Sequence, residues 1–254
     1  MATIGILGIG HLAGFLVEGL SRGDGADELI LSPRNGDKAR ALAERFGARV
    51  ADSNQDVVDQ SDLVLVCLPT ATGHEILSGL VFREGQSVLS AMAGTSQAQL
   101  LPLVTPARAH VTMMPGAANA LGCGPSLLYP ADEVWHAVLS RLGPVIVPDS
   151  AEQYDIAAVF GGFSGASFAW MDAAVGWFEA RGLSRDLAQK LIAATVRGNA
   201  EVVLQPGASL DEISNGVATP GGITRQVVDR LNADGALDSW AVALDEVLAR
   251  IRSD

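Results

Sequence analysis

Thr3-Ile4-Gly5-Ile6-Leu7-Gly8-Ile9-Gly10-His11-Leu12-Ala13 is the stretch whose reading decides the fold. An apolar run ends in a Gly-x-Gly-x-x-Ala turn, and a helical pattern begins at once. Each small residue has a physical task. Gly8 permits the tight turn, Gly10 lets a pyrophosphate approach the backbone, and Ala13 lets the helix pack close to the sheet, while the helix start offers amide donors to the anion. Glycine is 28 of 254 residues, so an ordinary tight turn is the bland alternative. The placement directly between an apolar strand and an amphipathic helix favours a dinucleotide site. His11 either flanks the pyrophosphate or faces solvent, and Leu12 lies beside it in the same turn.

Outward from that turn, short apolar runs alternate with helical spacing. Strands are expected at Thr3 to Leu7, Glu28 to Ser32, Leu63 to Leu68, Ser87 to Met92, Val111 to Met114 and Val145 to Val147. Helices are expected at Leu12 to Arg22, Asp37 to Phe46, Gly73 to Leu80, Gln97 to Val104 and Glu133 to Leu142, with Gly23, Gly47 and Gly143 at C-cap positions. Strands as uniformly apolar as Leu63 to Leu68 are buried on both faces, which predicts a parallel sheet covered by helices. Beyond Pro148 the strand signals stop. Gln153 to Ala180, Arg185 to Leu204, Leu210 to Ser214, Ile223 to Leu231 and Leu237 to Arg252 read as helices, with Ser209 and Glu212 as a capping box. The fold class is therefore α/β: a Rossmann-type parallel sheet over residues 1–150, followed by an all-helical domain over 151–254.

Composition narrows the partners. The chain carries 17 basic and 29 acidic residues, a net charge of -12, and is 48% hydrophobic but only 18% charged, which excludes a disordered polymer. Its only lysines are Lys38 and Lys190, so it lacks the basic clusters a nucleic-acid binder needs. Between Gly85 and Ala131 the single charge is Arg108, yet prolines including Pro102, Pro106, Pro115 and Pro125 and many Ser, Thr and Gln residues interrupt that stretch, so it reads as buried core and ligand cleft rather than a membrane span. Two cysteines, Cys67 and Cys123, make no disulfide framework or metal site and read as small buried fillers. No secretory signal is evident at the start, and a cytoplasmic chain is expected.

The end of the second strand selects the dinucleotide. An NAD site usually places an acidic residue there for the ribose hydroxyls. This chain has Ser32-Pro33-Arg34-Asn35 instead. Arg34 offers a cationic fork for a 2′-phosphate, with Ser32 and Asn35 as further donors, so NADP(H) is expected over NAD(H).

With these residues in place, the chain resembles the pyrroline-5-carboxylate reductase family over essentially its full length. The nucleotide turn matches, and Pro33-Arg34-Asn35 sits where the family has Asn-Arg-Thr. Leu68-Pro69 stands at the family's Lys-Pro, Ser90-Ala91-Met92-Ala93-Gly94 is similar to its Ser-x-x-Ala-Gly, and Met114-Pro115 to the start of its Met-Pro-Asn. Asp155 to Trp170 is similar to the segment containing Ser-Gly-Pro-Ala-Tyr, with Ser164 and Gly165 retained. Most specific is Ala218-Thr219-Pro220-Gly221-Gly222-Ile223-Thr224, close to the family's Ser-Pro-Gly-Gly-x-Thr. Read from its residues alone, that turn opens a helix and suits a small carboxylate, or is simply a capping turn.

The resemblance implies NADPH-dependent reduction of a cyclic imine carboxylate, pyrroline-5-carboxylate to proline, in proline biosynthesis. It places Gly8, Gly10, His11, Leu12, Ala13, Ser32, Arg34, Asn35, Leu68, Pro69, Ala93, Gly94, Met114 and Pro115 at the cofactor. Thr219, Gly221, Gly222 and Ser164 are then expected at the substrate, with Thr224 as the catalytic group at the imine nitrogen. It also implies a homodimer or higher homo-oligomer through the helical domain. The family's Asn is Gly116 here, its Lys is Leu68, and its Pro and Tyr are Ala166 and Phe168, so a divergent member acting on another imine remains an alternative. A coenzyme-F420-dependent NADP reductase would share the nucleotide half without explaining the Thr219 to Thr224 motif. A non-catalytic NADP(H)-binding sensor is the third reading. Asp172, charged in an apolar helix, is a candidate partner for an arginine such as Arg225.

Overall fold

The computed structural model describes residues 2–22, 27–207 and 209–253. Gly23, read as a C-cap, lies outside them. Along the chain run β1 (Thr3–Leu7), α1 (His11–Leu20), β2 (Glu28–Leu31), α2 (Gly36–Phe46), β3 (Arg49–Val50), α3 (Asn54–Asp59), β4 (Leu63–Val66) and α4 (Thr70–Ser78). Then come β5 (Ser87–Ser90), α5 (Gln97–Val104), β6 (Arg108–Val111), α6 (Ala117–Ala120), β7 (Ser126–Leu127), α7 (Glu133–Ser140) and β8 (Val145–Ile146). The remainder is helical: α8 (Ala151–Ala158), α9 (Phe160–Glu179), α10 (Arg185–Val203), α11 (Leu210–Val217), α12 (Ile223–Ala233) and α13 (Asp238–Ser253).

Six strands form one parallel sheet in the order β3-β2-β1-β4-β5-β6. Its strands are apolar throughout because both faces are covered. Along β4, Leu63 and Leu65 enter one core with helices α1, α2 and α7, while Val64 and Val66 enter the other with α3, α4 and α5. The same alternation sends Ile4 and Ile6 one way and Leu7 the other. Reversal of the strand order falls between β1 and β4, the switch point where parallel sheets of this kind receive ligands.

The chain divides into two compact units, Met1–Gly161 with Leu248–Asp254, and Gly162–Val247. Helix α8 belongs to the first: Tyr154 and Ala158 are buried in the core over α4 and α5, and Ile251 near the chain's end packs against the same cluster. A single helix was expected from Gln153 to Ala180; the chain breaks it at Val159, where Gly161 and Gly162 follow and lower helix propensity. Expected strand Val111 to Met114 lies earlier, at β6. Beyond Val111 the backbone turns to a different partner, with Leu127 N donating to Met113 O at 2.9 Å and Val111 pairing with Tyr129. The short elements β3, α3, α6 and β7 carry too few residues for a periodicity to register.

In the second unit, apolar burial is sparse: among the described residues, only Val175, Ala188 and Ala218 are buried hydrophobics there. Ile223 is 83% exposed, Leu204 77% and Trp170 54%. No described helix is long and apolar enough to cross a membrane.

Candidate nucleotide and substrate sites

Gly8 leaves β1 with φ +89°, and a Cβ there would stand 2.7 Å from the carbonyl oxygen of Cys67, just past β4. The residue is glycine for two independent reasons, backbone conformation and close approach. Its amide donates to Ser32 Oγ at 2.9 Å, so the end of β2 is tied to the turn. Gly10 differs. It has a negative φ, and a Cβ there would meet nothing within 4 Å, so neither backbone strain nor packing in the chain explains it. What remains is open space over the start of α1, whose N-terminus has no side-chain cap and no acidic residue in its first turn. Ala13 is fully buried against the sheet, Leu12 is partly buried, and His11 is exposed.

At the end of β2, Ser32 is 1% exposed and its oxygen receives the Gly8 amide, so it shapes the turn from inside. Arg34 is exposed and, among the described residues, forms no ion pair. Asn35 is exposed and donates from Nδ2 to Ile9 O at 3.2 Å, which fixes the loop beside the glycine turn. Asp37, three residues along from Arg34, is paired with Arg40.

Farther along the same sheet edge, Leu68 is buried in the core and Pro69 starts α4 without a capping side chain. Thr70 Oγ1 donates to Ala93 O at 2.6 Å, joining the loops after β4 and β5. Gly94 has φ +82°. Met114 is 6% exposed inside the core against α1 and α7, so it faces the sheet edge with backbone only. Pro115 and Gly116 follow, and Asn119 holds this loop: its Oδ1 accepts from Gly116 N at 2.9 Å and its Nδ2 donates to Gly124 O at 2.7 Å. Asn119, fully buried, was missed in the sequence; its three-residue spacing from Gly116 is the signal that could have found it.

The turn before α12 stands in the second unit. Gly222 N donates to Thr219 O at 2.9 Å, Pro220 takes the second position, and Gly221 has φ +75°, the arrangement of a type II turn. A Cβ at Gly222 would stand 2.8 Å from Thr219 Oγ1. Helix α12 has no side-chain cap and no acidic residue in its first turn, and Thr224 is exposed there. Arg225 folds back, donating from Nε to Ala218 O at 3.2 Å. Asp172 pairs with Arg185, not Arg225, because Arg225 is spent on the end of α11. Ser164 is on α9, partly buried, and its carbonyl accepts from Ser167 Oγ at 2.7 Å.

Neither cysteine adds a nucleophile to these sites. Burial pushes the Cys67 thiol up to about 12, leaving it protonated at neutral pH. Cys123 is exposed, contrary to the expected buried filler, and its Sγ lies 3.5 Å from Ala118 O. The described residues contain no cluster of metal ligands.

Residues 3–94 match the family model described as NADP oxidoreductase coenzyme F420-dependent. Residues 151–254 match the model described as pyrroline-5-carboxylate reductase dimerisation. A pyrroline-5-carboxylate reductase from Corynebacterium melassecola is 26% identical over 248 residues, 92% of each chain. The chain is similar to the pyrroline-5-carboxylate reductase family in both sequence and fold. Its fold is that of the 1-pyrroline-5-carboxylate reductase from Streptococcus pyogenes, with a TM-score of 0.87 at 21% identity over 100% of this chain and 99% of that one. The Plasmodium falciparum pyrroline carboxylate reductase, solved with NADP bound, gives 0.88 at 15% identity over 99% and 97%. The F420-type match thus covers only residues 3–94, whereas the match to the reductase dimerisation model covers the helical half. The chain is an oxidoreductase of the pyrroline-5-carboxylate reductase type.

Proposed function

We propose that the chain reduces pyrroline-5-carboxylate to proline with NADPH, as a cytoplasmic homodimer in amino-acid biosynthesis. Residues 1–150 hold the nucleotide and residues 151–254 supply the substrate turn and the subunit contacts. The observation that carries this reading is the Thr219–Thr224 turn, an uncapped helix start with a positive-φ glycine and two threonines. Such a turn suits a small carboxylate, because peptide N–H groups and the positive end of the helix dipole are presented without an acidic side chain.

The nucleotide residues fit NADPH on chemical grounds. The space over Gly10 and the free amides opening α1 suit a pyrophosphate, with His11, Leu12 and Ala13 supplying the first turn. Arg34 and Asn35 suit a 2′-phosphate, with Ser32 holding their loop in place. Leu68, Pro69, Ala93, Gly94, Met114 and Pro115 line the strand ends where the nicotinamide would lie. NADPH, when bound, supplies the hydride for the C=N bond.

The chain's own work at the substrate is positioning. Gly221 and Gly222 hold the carboxylate, Thr219 and Ser164 flank it, and Thr224 Oγ1 hydrogen-bonds the imine nitrogen and steadies its proton. An iminium is already electrophilic, so no buried His or Lys acid is required. The exposed apolar side chains of the second unit, Trp170 and Ile223 among them, support burial against a second copy.

Steady-state rates test the assignment. Loss of one hydrogen bond to a charged group costs about 1.5–3 kcal/mol, so Thr224→Ala should lower kcat/KM on pyrroline-5-carboxylate by roughly ten- to a hundredfold. Equal turnover of pyrroline-5-carboxylate and the carboxylate-free imine would overturn the carboxylate cradle.

A further inference from the structure

A cavity of about 320 Å³ opens within the first unit, beside the loop after β5, bounded by Gly94, by Tyr154 and Asp155 on α8 and by Arg252 on α13. Met92 and Met113 give it an apolar lining. Of the residues placed at the cofactor, it shares only Gly94. Three features of its polar lining lack an explanation inside the chain.

Tyr154 is 8% exposed, and among the described residues its hydroxyl makes no hydrogen bond. Asp155 likewise has no hydrogen bond or ion pair among the described residues, and burial pushes its carboxyl above the usual range, with Arg252 pulling it down and Glu152 pushing it up. Arg252 reaches Glu152 at 3.7 Å, a contact whose carboxylate is 78% exposed, and does not close on Asp155. One cation and one anion are therefore held apart across the same small space.

A purely anionic ligand would be repelled by Asp155, and a purely cationic one by Arg252. A molecule carrying both charges one carbon apart meets both groups at once. The thioethers of Met92 and Met113 suit an aliphatic side chain or ring next to those charges. We propose that this cavity binds a small zwitterionic α-amino acid with an apolar side chain or ring, its carboxylate received by Arg252 and the Tyr154 hydroxyl, its ammonium by Asp155. The assignment stands apart from the reductase reading, since binding here requires neither nucleotide nor the α12 turn.

Calorimetric titration of the full chain with L-proline, without nucleotide, tests it. Saturable binding is expected, weakened at least tenfold by Asp155→Asn and by Arg252→Met, and about threefold by Tyr154→Phe. Glu152→Gln, which frees Arg252, should bind at least as tightly as the parent. If Asp155→Asn melts early and cannot be titrated, the exposed positions Arg252 and Glu152 still decide. Acetate or pyrrolidine binding as tightly as proline overturns the two-charge recognition, and absence of saturable binding at millimolar proline overturns the site. Binding abolished by Thr224→Ala but retained in Asp155→Asn would place the amino acid on the α12 turn instead and overturn it equally.

Discussion

Gly8 and Gly10 stand two residues apart, and a methyl group would do opposite things at them. At Gly8 it meets a positive φ and the Cys67 carbonyl at 2.7 Å, so Gly8→Ala should destabilise the fold by about 2–4 kcal/mol, read from urea unfolding. At Gly10 the backbone is unstrained and the space is open. Gly10→Ala should leave unfolding within about 1 kcal/mol of the parent yet weaken NADPH binding at least tenfold, because the added carbon occupies the ligand's side of the turn. Equal stability loss at both positions would mean Gly10 is structural. His110 gives a pH prediction at the same scale. It is 5% exposed, with Nδ1 3.0 Å from Pro130 O and Nε2 3.6 Å from Asp132, whose carboxylate is already bound by Arg108 at 2.9 Å. Burial holds its imidazole below the ordinary value of 6.5. The unfolded chain therefore takes up the proton first as pH falls through that value, and folding stability declines with it. Unfolding at pH 7.5 and 5.5 should show a smaller drop in His110→Asn than in the parent; an unchanged drop would remove His110 from the account.

The elements explain which parts of the chain were readable and which were not. Strands β1, β2, β4 and β5 were legible because both faces of the sheet are buried and the apolar runs are uninterrupted. The capping box at Ser209 and Glu212 was legible for a local reason, since a cap involves only residues three apart, and both of its reciprocal bonds are present. Ser209→Ala should cost about 1 kcal/mol by thermal unfolding, and no loss would show that α11 is held by other contacts. Helix α8 was legible as a helix but not as part of the first unit, because its placement rests on Tyr154 and Ala158 entering the sheet's core cluster, a tertiary fact no periodicity encodes. The turn before α12 lies between these cases. Its Pro-Gly pair marks the turn type in sequence, while its freedom from a capping side chain becomes visible only in coordinates.

At the level of the whole molecule, the two units differ in how well they cover themselves. The first closes two cores on its sheet; the second leaves Trp170, Leu204 and Ile223 exposed, more apolar surface than a free chain normally keeps in water. Light scattering should report a dimer or larger assembly, and Trp170→Glu should shift it toward monomer; a parent chain that is monomeric at micromolar concentration would remove the subunit pairing. Sequence motifs offered both proposed halves of the site, the glycine turn and the Thr219–Thr224 turn, because each is local. The cavity beside Asp155 was not readable, since it depends on segments brought together by the fold. The central claim, that the chain reduces the imine bond of pyrroline-5-carboxylate with NADPH, is tested most directly by incubating it with NADPH deuterated at the transferable position of nicotinamide C4 and weighing the product. Proline one mass unit heavier, with the label at the former imine carbon, is the expected result; unlabelled proline, or no proline with NADPH bound, would contradict it.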